Sequence, residues 1–478
     1  MEPSRRYFLK NASVAALAIG AFRHLPSQAQ GTNHSNEIKK FGSLIKDPAG
    51  ILDLPRGFSY KIISRSGEPM SDGLMTPYNP DGMAAFPVRG KPQQSLLIRN
   101  HELHSYIKTD SFGGDATWAH KFVGTKAYDF YNRMPANGGT TNLLFDQRTG
   151  KVEHSFLSLI GTLVNCSGGV TPWGSWLSCE ETQDGLHQGF GKDHGFIFEV
   201  PSNAIGLVEA NPLTAMGRFK HEACAIDLVT GIVYMTEDDE SGLFYRFLPN
   251  QQGVLAAGGR LQALVINELP SANTRNWQDD IAKRKATLIP AKKSLSCKWI
   301  DLDNVTAPDG DLRKRGRAKG AAIFARGEGL AFAIRSNKRR ELFFSATTGG
   351  EQKIGQLWRY QPSPYEGTAR EQEQPGTLDL FYETADRTVL KAPDNLVIAP
   401  WGDLIVCEDS YSTTADDVNY LRGITAEGKI YNIAMNPQQN KGEFCGACFS
   451  PDGSTLFINI QTPGMTFAIT GPWQDGRT

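Results

Sequence analysis

Six short apolar runs recur along this chain, each closing on acidic or polar residues, and this repeat limits the fold more than any other feature. They lie at 95–102 (SLLIRNHE), 175–181 (SWLSCEE), 232–239 (IVYMTEDD), 341–348 (ELFFSATT), 403–409 (DLIVCED) and 455–461 (TLFINIQ). Turn signals precede several of them, among them Thr171-Pro172-Trp173-Gly174, Val229-Thr230-Gly231, Ala399-Pro400-Trp401-Gly402 and Ser450-Pro451-Asp452-Gly453. A partner strand opening on glycine follows at 195–200, 242–247, 355–360 and 428–433. A turn-and-strand unit repeating at this scale buries its faces only against its neighbours, which predicts an all-β fold, a six-bladed β-propeller with loop insertions. The longest insertion spans 248–319. Its basic stretches at 283–293 and 313–319 read as a solvated cap, with a phosphate-attracting rim as the alternative.

In such a propeller the six runs are expected to line the central channel as the innermost strands, so the acids at their ends gather at one mouth. Five of the six bring a carboxylate there if Glu443, on the loop before the last run, is counted; the run ending at Thr348 does not. Carboxylates crowded into a confined mouth raise one another's pKa or demand a cation. The stretch 165–182 (NCSGGVTPWGSWLSCEET) adds a thiol to them: Cys166 in a glycine-rich bend, a Pro-Trp-Gly turn, then a strand delivering Glu180 and Glu181. Oxygen ligands alone suit calcium, whereas an added thiolate favours a transition metal such as iron or zinc. The nine histidines form no zinc-hydrolase cluster, and only His101 and His221 sit among such acids.

Fifty basic and 51 acidic residues leave a net charge of −1, which gives no footing for a nucleic-acid partner. At the N-terminus, Ser4-Arg5-Arg6-Tyr7-Phe8-Leu9-Lys10 matches the twin-arginine export pattern, and the apolar residues 12–22 are too few to span a bilayer. With Ser27-Gln28-Ala29 as the cleavage site, residues 1–29 form the signal peptide and 30–478 one propeller domain, free of a stable membrane anchor. The expected partner is the twin-arginine export machinery, and the expected location is the periplasm or the medium. Seven cysteines are an odd number, so at least one thiol is left for a metal. Cys445 and Cys448 read as two ordinary cysteines or a local disulfide.

Taken in order, Asn100-His101-Glu102, 165–181, Arg218–Glu222 as RFKHE, 236–239, Arg326-Gly327-Glu328-Gly329, Pro393-Asp394-Asn395, Cys407-Glu408-Asp409 and 449–473 resemble the PhoX-type alkaline phosphatases. These are exported, calcium- and iron-dependent enzymes on a six-bladed propeller. The resemblance implies a monomeric enzyme acting on small-molecule phosphomonoesters. It implies a ferric iron centre using Cys166, Glu181, Glu222, Glu328 and Asp394, and calcium held by carboxylates such as Glu102, Asp238, Asp239, Glu408 and Asp409. Cys166 is preferred to Cys179 because the glycine bend is expected to expose it. Arg326, with Glu328 in the catalytic set, resembles the family's phosphate-contacting arginine, and a planar guanidinium suits two phosphate oxygens. Two departures stand out: Gly327 where the family has proline, and Thr462 where it has a histidine before Pro-Gly.

Two other readings use the same acids. One is a calcium-dependent lactonase or arylesterase on a six-bladed propeller, which needs no thiolate; the other is a non-catalytic binding propeller stiffened by calcium.

Overall fold

The computed structural model describes residues 37–104, 126–131, 134–410, 418–438 and 442–474, all within one unit, Asn36–Thr478. The twin-arginine segment and its cleavage site lie outside the described residues. Among the described residues no helix is long and apolar enough to cross a membrane.

The architecture is all-β and propeller-like, built from antiparallel meanders. One sheet runs Pro80–Pro87, Gln94–His101, Gly138–Asp146, Lys151–Thr162, and a three-stranded one runs Asn165–Val170, Ser175–Glu180, Ile197–Pro201. Two four-stranded sheets follow later, Pro393–Ile398 to Ile430–Met435, and Phe444–Phe449 to Met465–Thr470 with Ser59–Arg65 as fourth strand. Between them lies a nine-stranded sheet. In it His221–Ile226 through Gly259–Ile266 and Gly327–Ile334 through Thr377–Glu383 are joined edge to edge by Leu295–Asp301. That joining strand pairs over five residues on one side and two on the other. The stretch 248–319 is thus partly sheet: Gly259–Ile266 completes a meander, Leu295–Asp301 joins two meanders, and the remainder, with the short helices Gln278–Ala282 and Leu312–Ala318, stands outside the sheet.

The strands Pro80–Pro87, Asn165–Val170, His221–Ile226, Gly327–Ile334, Pro393–Ile398 and Phe444–Phe449 pack side by side in that order, and the last packs against the first. They form a closed inner ring. This corrects the expectation that the six counted runs are innermost, because each of those runs is the second strand, paired outward of a ring strand. Likewise Ile430–Met435 is the fourth strand of its sheet, behind Tyr420–Ile424. The ring strands escape the apolar pattern because crowding selects small residues. A Cβ on Gly168 would lie 2.0 Å from the Leu177 carbonyl oxygen, and one on Gly169 2.1 Å from that of Cys224. The glycine-rich stretch read as a bend is therefore a ring strand pressed between two others.

Apolar side chains of the outer strands fill the space between sheets, with Trp358, Tyr245 and Phe247 fully enclosed. The segment before the first sheet is tied down chemically. Asp47 accepts the backbone N–H groups of Ala49, Ile51 and Leu52 and the Tyr60 hydroxyl at 2.6 Å, and Lys40 Nζ meets Asp403 Oδ2 at 2.7 Å. Phe41 sets its edge against Phe58, Trp401, Tyr431 and Trp473 at centroid distances of 5.2–5.7 Å. Phe41→Ala removes a half-buried ring that ties this segment to the last two sheets. A loss of about 2 kcal/mol is expected, below the cost of truncating a fully enclosed phenylalanine. It is read as a lower urea midpoint at an unchanged m-value.

Candidate metal centre

Every ring strand slips its register at the same place. Pairing jumps from Pro80 to Met83, Asn165 to Gly168, His221 to Cys224, Gly327 to Leu330, Pro393 to Leu396 and Cys445 to Cys448. A β-bulge re-aims the side chains it displaces. Here the first displaced residues are Asp81, Cys166, Glu222, Glu328 and Asp394, and Cys445 stands at the edge of the sixth bulge. The bulged carbonyls are caught by polar side chains on the second strand of the neighbouring meander. Asn100 Nδ2 donates to Ser167 O at 2.7 Å, Thr236 Oγ1 to Glu328 O at 2.5 Å, Ser345 Oγ to Asp394 O at 2.7 Å and Asn459 Nδ2 to Asp81 O at 2.6 Å.

The side chains meet in four overlapping groups whose potential ligand atoms lie within 4.8 Å of one another: Asp81, Glu102 and Cys166; Cys166, Glu181 and Glu222; Glu222, Glu328 and Asp394; Asp81, Glu443 and Cys445. Cys166 Sγ donates to Glu222 Oε1 at 3.1 Å. The preference for Cys166 on grounds of exposure is corrected, since the residue is buried, only 7% exposed. Cys179 is buried on the second strand within a thiol–thiol hydrogen bond of Cys224. All seven cysteines, Cys445 and Cys448 included, are free.

Burial first, and the neighbouring acids second, push the carboxyls of Asp81, Glu222 and Glu443 well above the usual carboxylate range. The same two causes raise the Cys166 thiol. Asp81 Oδ1, Glu222 Oε2 and Asp409 Oδ1 are buried with no hydrogen-bond partner. Buried, crowded oxygens of this kind are what a cation satisfies, and oxygen donors beside one thiol suit both hard and softer metals. Past the bulges a channel of about 320 Å³ continues between the ring strands, walled mainly by apolar groups such as Met83, Leu330 and Leu396.

The other expected residues separate into two sets. Asp238 accepts Arg326 Nε and Nη2 on its two oxygens at 2.8 and 2.9 Å, and Arg326 Nη2 also reaches Glu328 Oε1 at 2.5 Å, so Arg326 lies at the cluster's edge. Asp409 hydrogen-bonds Glu443 and lies near Asp81. Asp239 instead pairs with Arg313 at 3.0 Å, and Glu408 with Arg422 at 2.9 Å, so neither is brought into the four groups. His101 bonds the Tyr78 carbonyl and Thr141, His221 the Gly217 carbonyl, and burial holds both imidazoles below their ordinary pKa, His221 at about 3. Sequence reasoning missed Asp81 and Cys445. The available signal was the likeness of Pro80-Asp81-Gly82-Met83 to Pro393-Asp394-Asn395-Leu396.

Scaffold and cluster together define an all-β, propeller-like hydrolase. The chain belongs to the PhoX alkaline phosphatase family, whose model, Alkaline phosphatase PhoX, matches residues 39–464, and it is a phosphoric monoester hydrolase. The structure of Pseudomonas fluorescens PhoX in complex with vanadate, a transition state analogue, shares its fold, with TM-score 0.64, 18% identity and coverage of 89% of this chain and 97% of that one. More distant are a Xanthomonas campestris gluconolactonase (TM-score 0.37, 13% identity, coverage 90% and 98%) and a luciferin-regenerating enzyme (TM-score 0.40, 10% identity, coverage 87% and 96%). No curated protein sequence matches the chain significantly.

Because the raised carboxyls bind protons more tightly folded than unfolded, their share of stability is full below the ordinary carboxylate range and is lost as pH rises through the shifted values. Protein kept in excess chelator is therefore expected to lose thermal stability as pH rises above the ordinary carboxylate range, and protein supplied with calcium to lose far less. A melting temperature in chelator that stays flat over this rise speaks against the repulsion.

Proposed function

We propose that the chain is an exported, calcium- and iron-dependent alkaline phosphatase that releases inorganic phosphate from small phosphomonoesters, on a ring of six blades. The observation that carries this reading is the buried Cys166–Glu222 contact within a cluster whose Asp81, Glu222 and Asp409 each keep an unpartnered carboxylate oxygen. Cys166, Glu181, Glu222, Glu328 and Asp394 form the set that would hold iron, the thiol supplying its soft ligand. Asp81, Glu102, Asp238, Asp409 and Glu443 form the all-oxygen set that would hold calcium. Asp239 and Glu408 leave that set because Arg313 and Arg422 hold them outside the four groups, whereas Arg326, which holds Asp238, also holds Glu328 within the cluster. Bound cations would neutralise the phosphoryl group and acidify the attacking water.

The chain's own part is orientation. Asp238 grips Arg326 along its Nε–Nη2 edge and Glu328 fixes the same Nη2, which holds the guanidinium rigid at the cluster's edge with Nη1 turned to phosphate oxygens. The cluster groups around Arg326 are carboxylates, so phosphate meets a favourable field only through that arginine and through cations. Gly327 lies within the ladder between Arg326 and Glu328, where a proline would lack an N–H, and it pairs with Ala346. Export rests on the twin-arginine pattern at Ser4–Lys10, and the mature domain on 30–478, acting as a monomer in the periplasm or medium.

Metal analysis beside p-nitrophenyl phosphate turnover tests the reading. Purified protein is expected to contain calcium and iron and to be coloured by thiolate-to-iron charge transfer. Cys166→Ser is expected to lose the colour, most of the iron and at least about tenfold in kcat/KM, while Cys179→Ser keeps all three. Active protein that is colourless and free of iron overturns the assignment.

A further inference from the structure

The acidic runs at the ends of three second strands pair chemically unlike residues. Glu180, Glu237 and Glu408 close their strands fully buried, and Glu181, Asp238 and Asp409 follow them toward the cluster. Successive strand residues point to opposite faces, so the first acid of each pair turns away from the ring just where the second turns to it.

What the first acids meet is the same kind of environment three times. Glu180 Oε1 accepts Leu163 N at 2.9 Å and His194 Nδ1 at 2.6 Å, and its Oε2 accepts Gly195 N at 2.8 Å and Phe196 N at 3.1 Å. His194 Nε2 in turn reaches Asp129 Oδ2 at 3.2 Å. Glu408 Oε1 accepts Lys391 N at 3.3 Å and Arg422 Nε at 2.9 Å, and its Oε2 accepts Tyr420 N at 2.9 Å. Glu237 Oε2 accepts Leu243 N at 3.0 Å and the Tyr245 hydroxyl at 2.8 Å, and its Oε1 meets Arg313 Nη1 at 3.0 Å. Each carboxylate therefore holds one basic side chain and at least one backbone N–H.

Two of those backbone groups have a telling position. Leu163 lies three residues before Cys166, and Lys391 lies three residues before Asp394. One carboxylate thus fixes two cluster segments at once: Glu180 sets its neighbour Glu181 and the approach to the Cys166 bulge, and Glu408 sets Asp409 and the approach to the Asp394 bulge.

We infer that Glu180, Glu237 and Glu408 are positioning residues that hold the cluster's carboxylates and thiol at ligating distance without binding metal themselves. The inference rests on the proposed metal centre. Glutamine at these sites keeps the size but turns an acceptor into a donor facing backbone N–H groups, so the held segments are released. Outer partners of metal ligands generally govern affinity by about 10–100-fold.

The test is calcium titration of the full chain by calorimetry, with ion content at saturation measured alongside. Glu408→Gln is expected to bind the unmodified number of calcium equivalents with a dissociation constant raised about 10–100-fold. Arg313→Gln removes a partly exposed side chain, keeps a hydrogen-bond donor beside Glu237, and is expected to weaken binding in the same direction through Glu237. Loss of an equivalent at saturation would make Glu408 a ligand and overturn the inference. So would unchanged affinity in both variants, which leaves these acids a purely structural role. An unmodified chain that binds neither calcium nor iron overturns the centre itself, an outcome distinct from the other two.

Discussion

Six strands packed side by side in a closed ring bring their backbones into close contact around a narrow apolar channel, and the rest of the structure answers that crowding. A regular ladder would send alternate side chains straight into the neighbouring ring strands. The shared register slip relieves the conflict by displacing one residue per strand toward the end of the ring. The displaced residues are then close to one another whatever their chemistry. In this chain they are acids and a thiol, so packing geometry and electrostatic repulsion become the same problem, and the polar side chains that catch the bulged carbonyls keep the solution in place.

The repeat was legible because second strands behave as sequence rules expect: apolar, preceded by a turn, ending at the acids. The ring strands beside them were not. Asn165–Val170 reads as a flexible bend when glycine is judged by its freedom, and as a close-packed strand only once the atoms a Cβ would strike are known. Asp81 escaped for a related reason, since Pro-Asp-Gly is turn chemistry in isolation. The division within Glu408-Asp409 was hidden as well. Composition treats the two acids as equals, and only the alternation of strand faces together with Arg422 tells them apart.

Among the cations of this scaffold, enclosed ones differ from Arg326 in what they answer. Arg246, Arg422 and His194 are enclosed and answer buried glutamates, as when Arg246 meets Glu366 and Glu371 at 2.5 Å. Removing one member of such a pair strands a charge, so these positions tolerate little change. Arg326 differs in lying partly open to solvent while answering two acids of the cluster, which marks it as the cation of this group placed to meet something arriving from outside.

The N-terminal strand Ser59–Arg65 completes the sheet made by the last strands of the chain, and the ring strand Pro80–Pro87 lies beside Phe444–Phe449. A cluster that joins Asp81 to Cys445 consequently spans more than three hundred residues of sequence. Its Asp81, Glu443 and Cys445 group comes into being only when the circle shuts, whereas Cys166, Glu181 and Glu222 are brought together by two neighbouring ring strands and their loops. Ring closure is the event that times the completion of the site.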